Sequence, residues 1–502
     1  MVLALSRSAR ELAAHPPRLL DHRRAPVLEA LRRLQQQDIA PFSTPGHKLG
    51  AAVEPDLRDL LGERLFTSDV WLHPACFDEV VMHAEALAAD AWGADQTFFL
   101  GNGSSCGNHA AFLAMVRPGD VVIVARDLHT SLLTALILSG ARPVYVTPRL
   151  HPELDVGLGI APADIARALD AHPEATLVAV VSPTYWGVAS DVEGIATVAH
   201  ARGVPLYVDE AWGPHLPFHP DLPRSALASG ADAAVTSVHK LLAGLSQASL
   251  LNVRAGRADL ARMAAAVRMT RSTSPSLPIL ASIDACRRQM ALAGAALLRH
   301  TLELAETVRR RLQAIPGLSV LDARRLGLGP DRSDPCRLVI DVHGLGQTGF
   351  AVERALRDRF GVVPEMSDQM GVICLITIGD TGASVNRLVA VFAALATEQD
   401  VLIRNGRCRP PRSSGMAVAP GIQVLSPREA HFAASRAVPL AEAAGEVAAE
   451  LVVPYPPGIP VFAPGEVITD DKISYLREGL RQGMHVRGPA DPSLAAIRVV
   501  RG

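Results

Sequence analysis

From about residue 84 to 260 two kinds of apolar pattern alternate along the chain. Short Val-rich runs (VVIVA at 121–125, PVYVT at 143–147, LVAVV at 177–181, LYV at 206–208, AAVTS at 233–237) are separated by Ala-rich stretches with helical spacing. Apolar runs this short read as buried strands. Their alternation with helices predicts an α/β fold with a mainly parallel sheet. In such sheets the loops after the strands gather at one edge and build the ligand site.

The flanking segments read differently. Residues 1–42 form an N-terminal helical arm, with Val27, Leu28, Leu31 and Leu34 at helical spacing. PFSTPGHKLG (41–50) breaks that pattern with Pro and Gly and must be a loop. Residues 257–315 read as helical, with a break at RSTSPSLP (271–278). From 336 to 400 the order is strand (CRLVIDV), helix, strand (GVVPEM), strand (VICLITIG), helix, which suits a smaller α+β unit. The expected division is a large domain over 43–300, a small domain over 301–404, a linker over 405–420 and a C-terminal domain over 421–502.

Composition narrows the function. Apolar residues make up 49% of the 502 and charged residues 20%, enough for a large core. The 49 Lys+Arg nearly balance the 51 Asp+Glu, and aromatics are only 4%, so neither a basic face nor a base-stacking platform for nucleic acid is expected. Six cysteines at 76, 106, 286, 336, 374 and 408 include no Cys-x-x-Cys pair, so no metal site is expected and a reducing compartment is. The first residues lack a signal-peptide layout and no long uncharged apolar stretch occurs. The expectation is a soluble cytoplasmic protein without a membrane partner.

Four segments at the sheet edge carry candidate chemistry. Lys240 follows the run ending at Ser237. Either it snorkels to solvent, or its amine forms a Schiff base with an aldehyde cofactor. Asp209 and Glu210 end another run and point to opposite faces if the strand continues, one to the site and the other to solvent or a helix cap. Asp209 is either a turn former or the partner of a cofactor ring nitrogen. Gly101-Asn102-Gly103-Ser104-Ser105 opens a helix. It is a tight turn with a serine cap, or a phosphate cradle made by free N–H groups; with Lys240 and Asp209 on the same sheet the second reading is the better one. His129 is either a loop histidine bonded to a carbonyl or a ring stacked on a planar cofactor.

This order of segments is that of fold type I pyridoxal phosphate enzymes. More closely, the chain resembles the shorter bacterial ornithine/lysine/arginine decarboxylases. The matching text is STPGHKLG (43–50), FFLGNGSSCGNHAA (98–111), SPTYWGV (182–188), VDEAWGPH (208–215), SVHKLLAGLSQAS (237–249), STSPSLPILASID (272–284), PEMSD (364–368), LITIGDT (375–381) and YPPGIPVFAPGE (455–466). The resemblance implies that pyridoxal 5'-phosphate is carried by Lys240, with Asp209 at its ring nitrogen, His129 on one face and Ala211 on the other. Ser104, Ser105, Ser237 and His239 would hold the phosphate. Lys240 and His239 are the candidates to protonate the α-carbon. Three positions depart from the family pattern: Val238 stands where Thr is usual, Thr130 where Lys is, and Trp212 where shorter members tend to have His.

A basic substrate needs a distal counter-charge, and Glu365 and Asp368 are candidates; the plain alternative is surface acids in a loop. Ser272 and Ser276 line the pocket or cap helices. His47 and Lys48 complete a partner's site in a homodimer, or TPGHK is only a connector. An aminotransferase or lyase on the same fold is the rival enzyme, with Arg387 available for an α-carboxylate. A non-catalytic homologue is the rival of another class, and an intact Lys240 and Asp209 count against it.

Overall fold

A computed structural model of the chain describes residues 20–70, 74–152, 154, 156–404, 421–454 and 458–501. Its central sheet has seven strands: β1 (Gln96–Leu100), β2 (Val121–Ala125), β3 (Arg142–Val146), β4 (Leu177–Val181), β5 (Leu206–Asp209), β6 (Ala233–Ser237) and β7 (Ser249–Val253). Their order is β1-β7-β6-β5-β4-β2-β3. Neighbours from β3 to β6 are parallel, whereas β7 runs antiparallel to both β6 and β1. The Val-rich runs become strands as expected. The alternation does not single out SLLNV at 249–253, because it follows β6 too closely for a crossover helix; the chain turns back and pairs antiparallel.

Period two along the strands sorts the side chains between two apolar layers. Leu177 and Ala179 enter one, Val178 and Val180 the other. Tyr207, Ala233 and Val235 share the first layer with Ala110, Ala111 and Phe112 of the helix Gly103–Met115. Asp209 and Ser237, next in each series, therefore lie on the same side as that helix. Gly107 permits the close approach: a Cβ there would stand 2.5 Å from Val235 Cγ2 and 2.8 Å from Leu100 Cδ1.

The helix Leu277–Gln313, with a proline in its first turn, is continuous through the expected boundary at 300/301. The change felt there is one of packing partner. Ile283, Met290 and Leu298 pack with the large domain; Ala305, Val308 and Leu312 pack with the small one. The small domain holds an antiparallel sheet of β8 (Ser319–Leu321), β9 (Arg337–Asp341), β10 (Met366–Ser367) and β11 (Gly371–Leu375), in the order β10-β11-β9-β8. The run GVVPEM is strand only from Met366, since Pro364 has no N–H for a ladder. β8, only three residues long, has too little pattern to read.

Beyond residue 420, ribbons of β12 (Ser435–Pro439) with β15 (Ala496–Val500) and β13 (Val453–Pro454) with β14 (Val486–Arg487) surround a separate apolar cluster that includes Phe462, Leu476 and Val499. In the N-terminal arm, the helix Pro26–Gln35 buries Val27, Ala30 and Leu31, and Asp284 accepts the Val27 N–H at 2.8 Å. Residues 1–19 of the arm, the linker at 405–420 and Tyr455–Pro457 of the YPPGIP run lie outside the described residues. Among the described residues no helix is long and apolar enough to cross a membrane.

Candidate active site

The chain leaves β6 directly into the short helix Val238–Leu241. Val238 is fully buried in the cluster holding Leu242 and Ala248, so this departure from the family pattern is filled by packing. Lys240 is half-buried, with Nζ 3.8 Å from the Trp212 ring centroid. It turns inward rather than snorkelling. Desolvation pulls its pKa down to about 8; Asp209 opposes that, Arg337 adds to it and Glu365 opposes it.

Asp209 is buried at the end of β5. Its Oδ2 accepts from Asn108 Nδ2 at 2.9 Å and its Oδ1 from the Ala211 N–H at 3.1 Å. Only the second bond is that of a turn former. Glu210 neither faces solvent nor caps a helix. It is buried, accepts the Ala226 N–H at 2.6 Å, and is pushed up to about 8 by desolvation.

His129 is the N-cap of the helix Thr130–Ser139. Its Nδ1 accepts the Ser131 N–H at 3.2 Å and lies 2.8 Å from Ser131 Oγ. The bond is to an amide N–H and not to a carbonyl, so the ring proton sits on Nε2. Burial lowers its pKa, with Asp209 opposing and Lys240 adding, which places the ring beside both. Ser104 lies in the first turn of Gly103–Met115, with its Oγ 2.6 Å from Ser237 Oγ and 3.2 Å from Ser249 Oγ. Ser105 beside it is exposed. His239 Nδ1 donates to the Ala248 carbonyl at 3.0 Å, and burial lowers its pKa.

The opposite wall comes from the small domain and contains a residue that the sequence does not single out. Arg337 opens β9 and is 2% exposed, and none of its three guanidinium nitrogens has a hydrogen-bond partner among the described residues. Its Cζ lies 3.8 Å from the Trp212 ring centroid, so Arg337 and Lys240 both stand on Trp212. Burial pulls Arg337 down to about 10, opposed chiefly by Asp334 and Glu365. Asp334 lies 3.3 Å from His215 Nε2 and accepts the Cys336 N–H at 3.0 Å. The ligand atoms of His215, Asp334 and Cys336 fall within 4.8 Å of one another. Cysteine spacing does not reveal this group, because its members come from two distant segments. Arg387, the arginine available to an aminotransferase, is spent elsewhere: its Nη2 donates to the carbonyls of Phe360 and Gly361 at 2.7 and 3.2 Å.

The remaining expected residues divide. Glu365 is exposed; desolvation raises its pKa and the charges of Arg337 and Lys240 oppose that. Asp368 ties a turn instead: its Oδ1 accepts the N–H groups of Met370 and Gly371 at 2.9 and 2.8 Å between β10 and β11. Ser272 and Ser276 line a separate cavity of about 610 Å³ with Thr44, Pro45, Arg268 and Arg271, which shares no lining residue with the Lys240–Trp212–Arg337 group. His47 and Lys48 do have local uses. His47 accepts the Gly50 N–H at 3.2 Å and lies 3.4 Å from Asp69, and Lys48 Nζ donates to the Ser43 carbonyl at 2.6 Å.

A seven-stranded sheet, a lysine just after β6, a buried carboxylate ending β5 and a helix packed against the ends of both strands define the architecture of fold type I pyridoxal phosphate enzymes. Solved structures with this fold include lysine decarboxylase A from Pseudomonas aeruginosa (TM-score 0.80, 26% identity, covering 98% of this chain and 82% of that one). A pyridoxamine-pyruvate aminotransferase from Mesorhizobium loti shares the fold alone (TM-score 0.52, 17% identity, 67% and 88% covered). The chain belongs to the Orn/Lys/Arg decarboxylase family and is an amino acid decarboxylase: the family's major domain matches residues 25–325 and its C-terminal domain residues 416–486. It is 39% identical to arginine decarboxylase of Bacillus subtilis over 95% of this chain and 98% of that one. To arginine decarboxylase of Halalkalibacterium halodurans it is 38% identical over 92% and 94%.

Proposed function

We propose that the chain binds pyridoxal 5'-phosphate at Lys240 and decarboxylates arginine. The donor set fits the cofactor. Ser104, Ser237 and the N-terminal turn of Gly103–Met115, with Ser105 and His239 beside them, suit a phosphate. Asp209 offers a carboxylate, Ala211 a small face and Lys240 an amine. When bound, the cofactor supplies an electron sink for the carbon that loses its carboxylate. The protein holds and orients. His129 would cover one face of the cofactor ring, and Lys240 or His239 would deliver the proton to the α-carbon. Trp212 walls the cleft between the large and small domains.

The observation that carries the substrate reading is the convergence of Arg337 and Lys240 on Trp212, with the charge of Glu365 acting on both. An amino acid with a cationic side chain meets a complementary charge at each end. Arg337, whose guanidinium nitrogens have no hydrogen-bond partner among the described residues, suits the α-carboxylate. Glu365 suits the distal cation. The relatives at 36–39% identity named arginine decarboxylase favour arginine over lysine and ornithine. Arg337 also favours a second reading, an aminotransferase. CO2 release from a panel of amino acids with added cofactor separates the two; transfer of the amino group to a keto acid without CO2 would exclude decarboxylation.

Glu365→Gln should raise KM for arginine about tenfold and leave that of an uncharged analogue of similar length unchanged. This is the low end for a hydrogen bond to a charged group, because the residue is exposed. Equal effects on both substrates would show that Glu365 does not read the distal charge. A second expectation concerns pH. Burial brings the Lys240 amine down to about 8 from the 10.5 of an ordinary lysine, and only its neutral form would be available to an aldehyde cofactor. Capture of pyridoxal phosphate by cofactor-free protein should therefore rise with pH and level off above about 8. A capture rate that still climbs steeply toward pH 10 would contradict the burial of this amine.

We also propose a homodimer. The helix Pro55–Leu61, close after the TPGHK loop, buries none of its residues and exposes Leu57, Leu60 and Leu61, while Phe42 on the other side of the loop is 98% exposed. Light scattering should give about twice the chain mass of 53.2 kDa. A fully active monomer would remove the proposal. A cytoplasmic location and a part in polyamine formation agree with this chemistry, and cell fractionation tests the first.

A further inference from the structure

Asn108 stands in the middle of the helix Gly103–Met115 and is 1% exposed. Asparagine is a poor residue for a helix interior, and a buried amide left unbonded is destabilising. Here every polar atom of the amide is used. Nδ2 donates to Asp209 Oδ2 at 2.9 Å and to Ser131 Oγ at 2.8 Å, and Oδ1 accepts from the Tyr207 hydroxyl at 2.6 Å. The orientation is dictated: a carboxylate only accepts, so the NH2 must face Asp209, and the Tyr207 hydroxyl holds the other end. Ser131 Oγ, already accepting from Asn108, turns its own hydrogen to His129 Nδ1 at 2.8 Å. One directed chain of bonds thus runs from Tyr207 through Asn108 to Asp209 and to His129.

We propose that Asn108 is a positioning residue of the cofactor site, holding Asp209 directly, and His129 through Ser131, in one fixed arrangement. Asn108 acts through Asp209 and His129, its own amide being taken up by Asp209, Ser131 and Tyr207. The inference rests on the reading that Lys240 and Asp209 bind pyridoxal phosphate.

The test uses full-length protein loaded with pyridoxal phosphate. Lys240 is faced by Asp209, Arg337, Glu365, His129 and His239, and Asp209 by His129, Tyr207 and Lys240. In Asn108→Leu all of these remain. The pH midpoint of the visible band of Lys240-linked cofactor, read without substrate, should move in the same direction as in Asp209→Asn, by about one unit, the scale of one hydrogen bond to a charged group. The value of kcat should fall about tenfold or more with KM little changed. Added to Asp209→Asn, the Leu substitution should cause almost no further loss, whereas a merely structural role gives multiplying losses. Should Asn108→Leu not fold, Tyr207→Phe frees the amide to rotate and should shift the midpoint the same way by less. An unmoved midpoint in the variant that folds, or multiplying losses in the double mutant, overturns the proposal. A wild-type protein that forms no visible band with added cofactor would instead remove the cofactor reading on which it rests.

Discussion

Lys240→Ala should lose the visible band of bound cofactor and at least about three powers of ten in turnover. The loss would remove the proposed covalent attachment and one of the two proposed proton donors, and proton transfer alone contributes about 10²–10⁴-fold in typical enzymes. The residue is motivated by position and environment together. It leaves β6 at the sheet edge, turns inward onto Trp212, and burial brings its pKa down to about 8. Turnover by purified protein, with cofactor content measured in parallel, checks it. Activity within tenfold of wild type would take the chemistry away from Lys240.

Asp209→Asn should keep cofactor but lose about 3 kcal/mol or more of transition-state stabilisation, roughly two powers of ten in kcat. The amide is nearly isosteric and can retain the contact with the Ala211 N–H. It cannot offer a negative charge to a ring nitrogen. A variant with bound cofactor and an unchanged rate would reduce Asp209 to the turn former it resembles in sequence.

Much of the candidate site is legible because strand ends are legible. A Val-rich run followed by Asp, or by Ser-Val-His-Lys, places those residues at the loop edge of a parallel sheet without further information. Period two also puts Tyr207 and Asp209 on one face. Which face met which helix was not legible, and so Asn108 passed unnoticed inside GNGSSCGNHAA, although a polar amide within an Ala-rich helix was a usable signal. Arg337 was hidden differently. In CRLVIDV it reads as an ordinary charged residue at a strand start. Its burial exists only once Trp212 from the β5 loop is packed against it.

The same limit explains the residues that changed role. Glu365 and Asp368 are nearly adjacent acids in one loop, and sequence treats them alike. In the folded chain the hairpin between β10 and β11 consumes Asp368 in its turn and leaves Glu365 facing Lys240 and Arg337. Arg387 is similar: the helix Gly349–Phe360 ends beside it and its carbonyls take the guanidinium. The α/β class, the five strands from β2 to β6 and the residues at their ends were determined by sequence alone, because apolar periodicity and turn chemistry are local. The antiparallel return of β7, the continuous helix across the domain boundary and the meeting of Lys240, Trp212 and Arg337 were decided only by tertiary structure. Each depends on which surfaces bury one another, and that is a property of segments far apart in the chain.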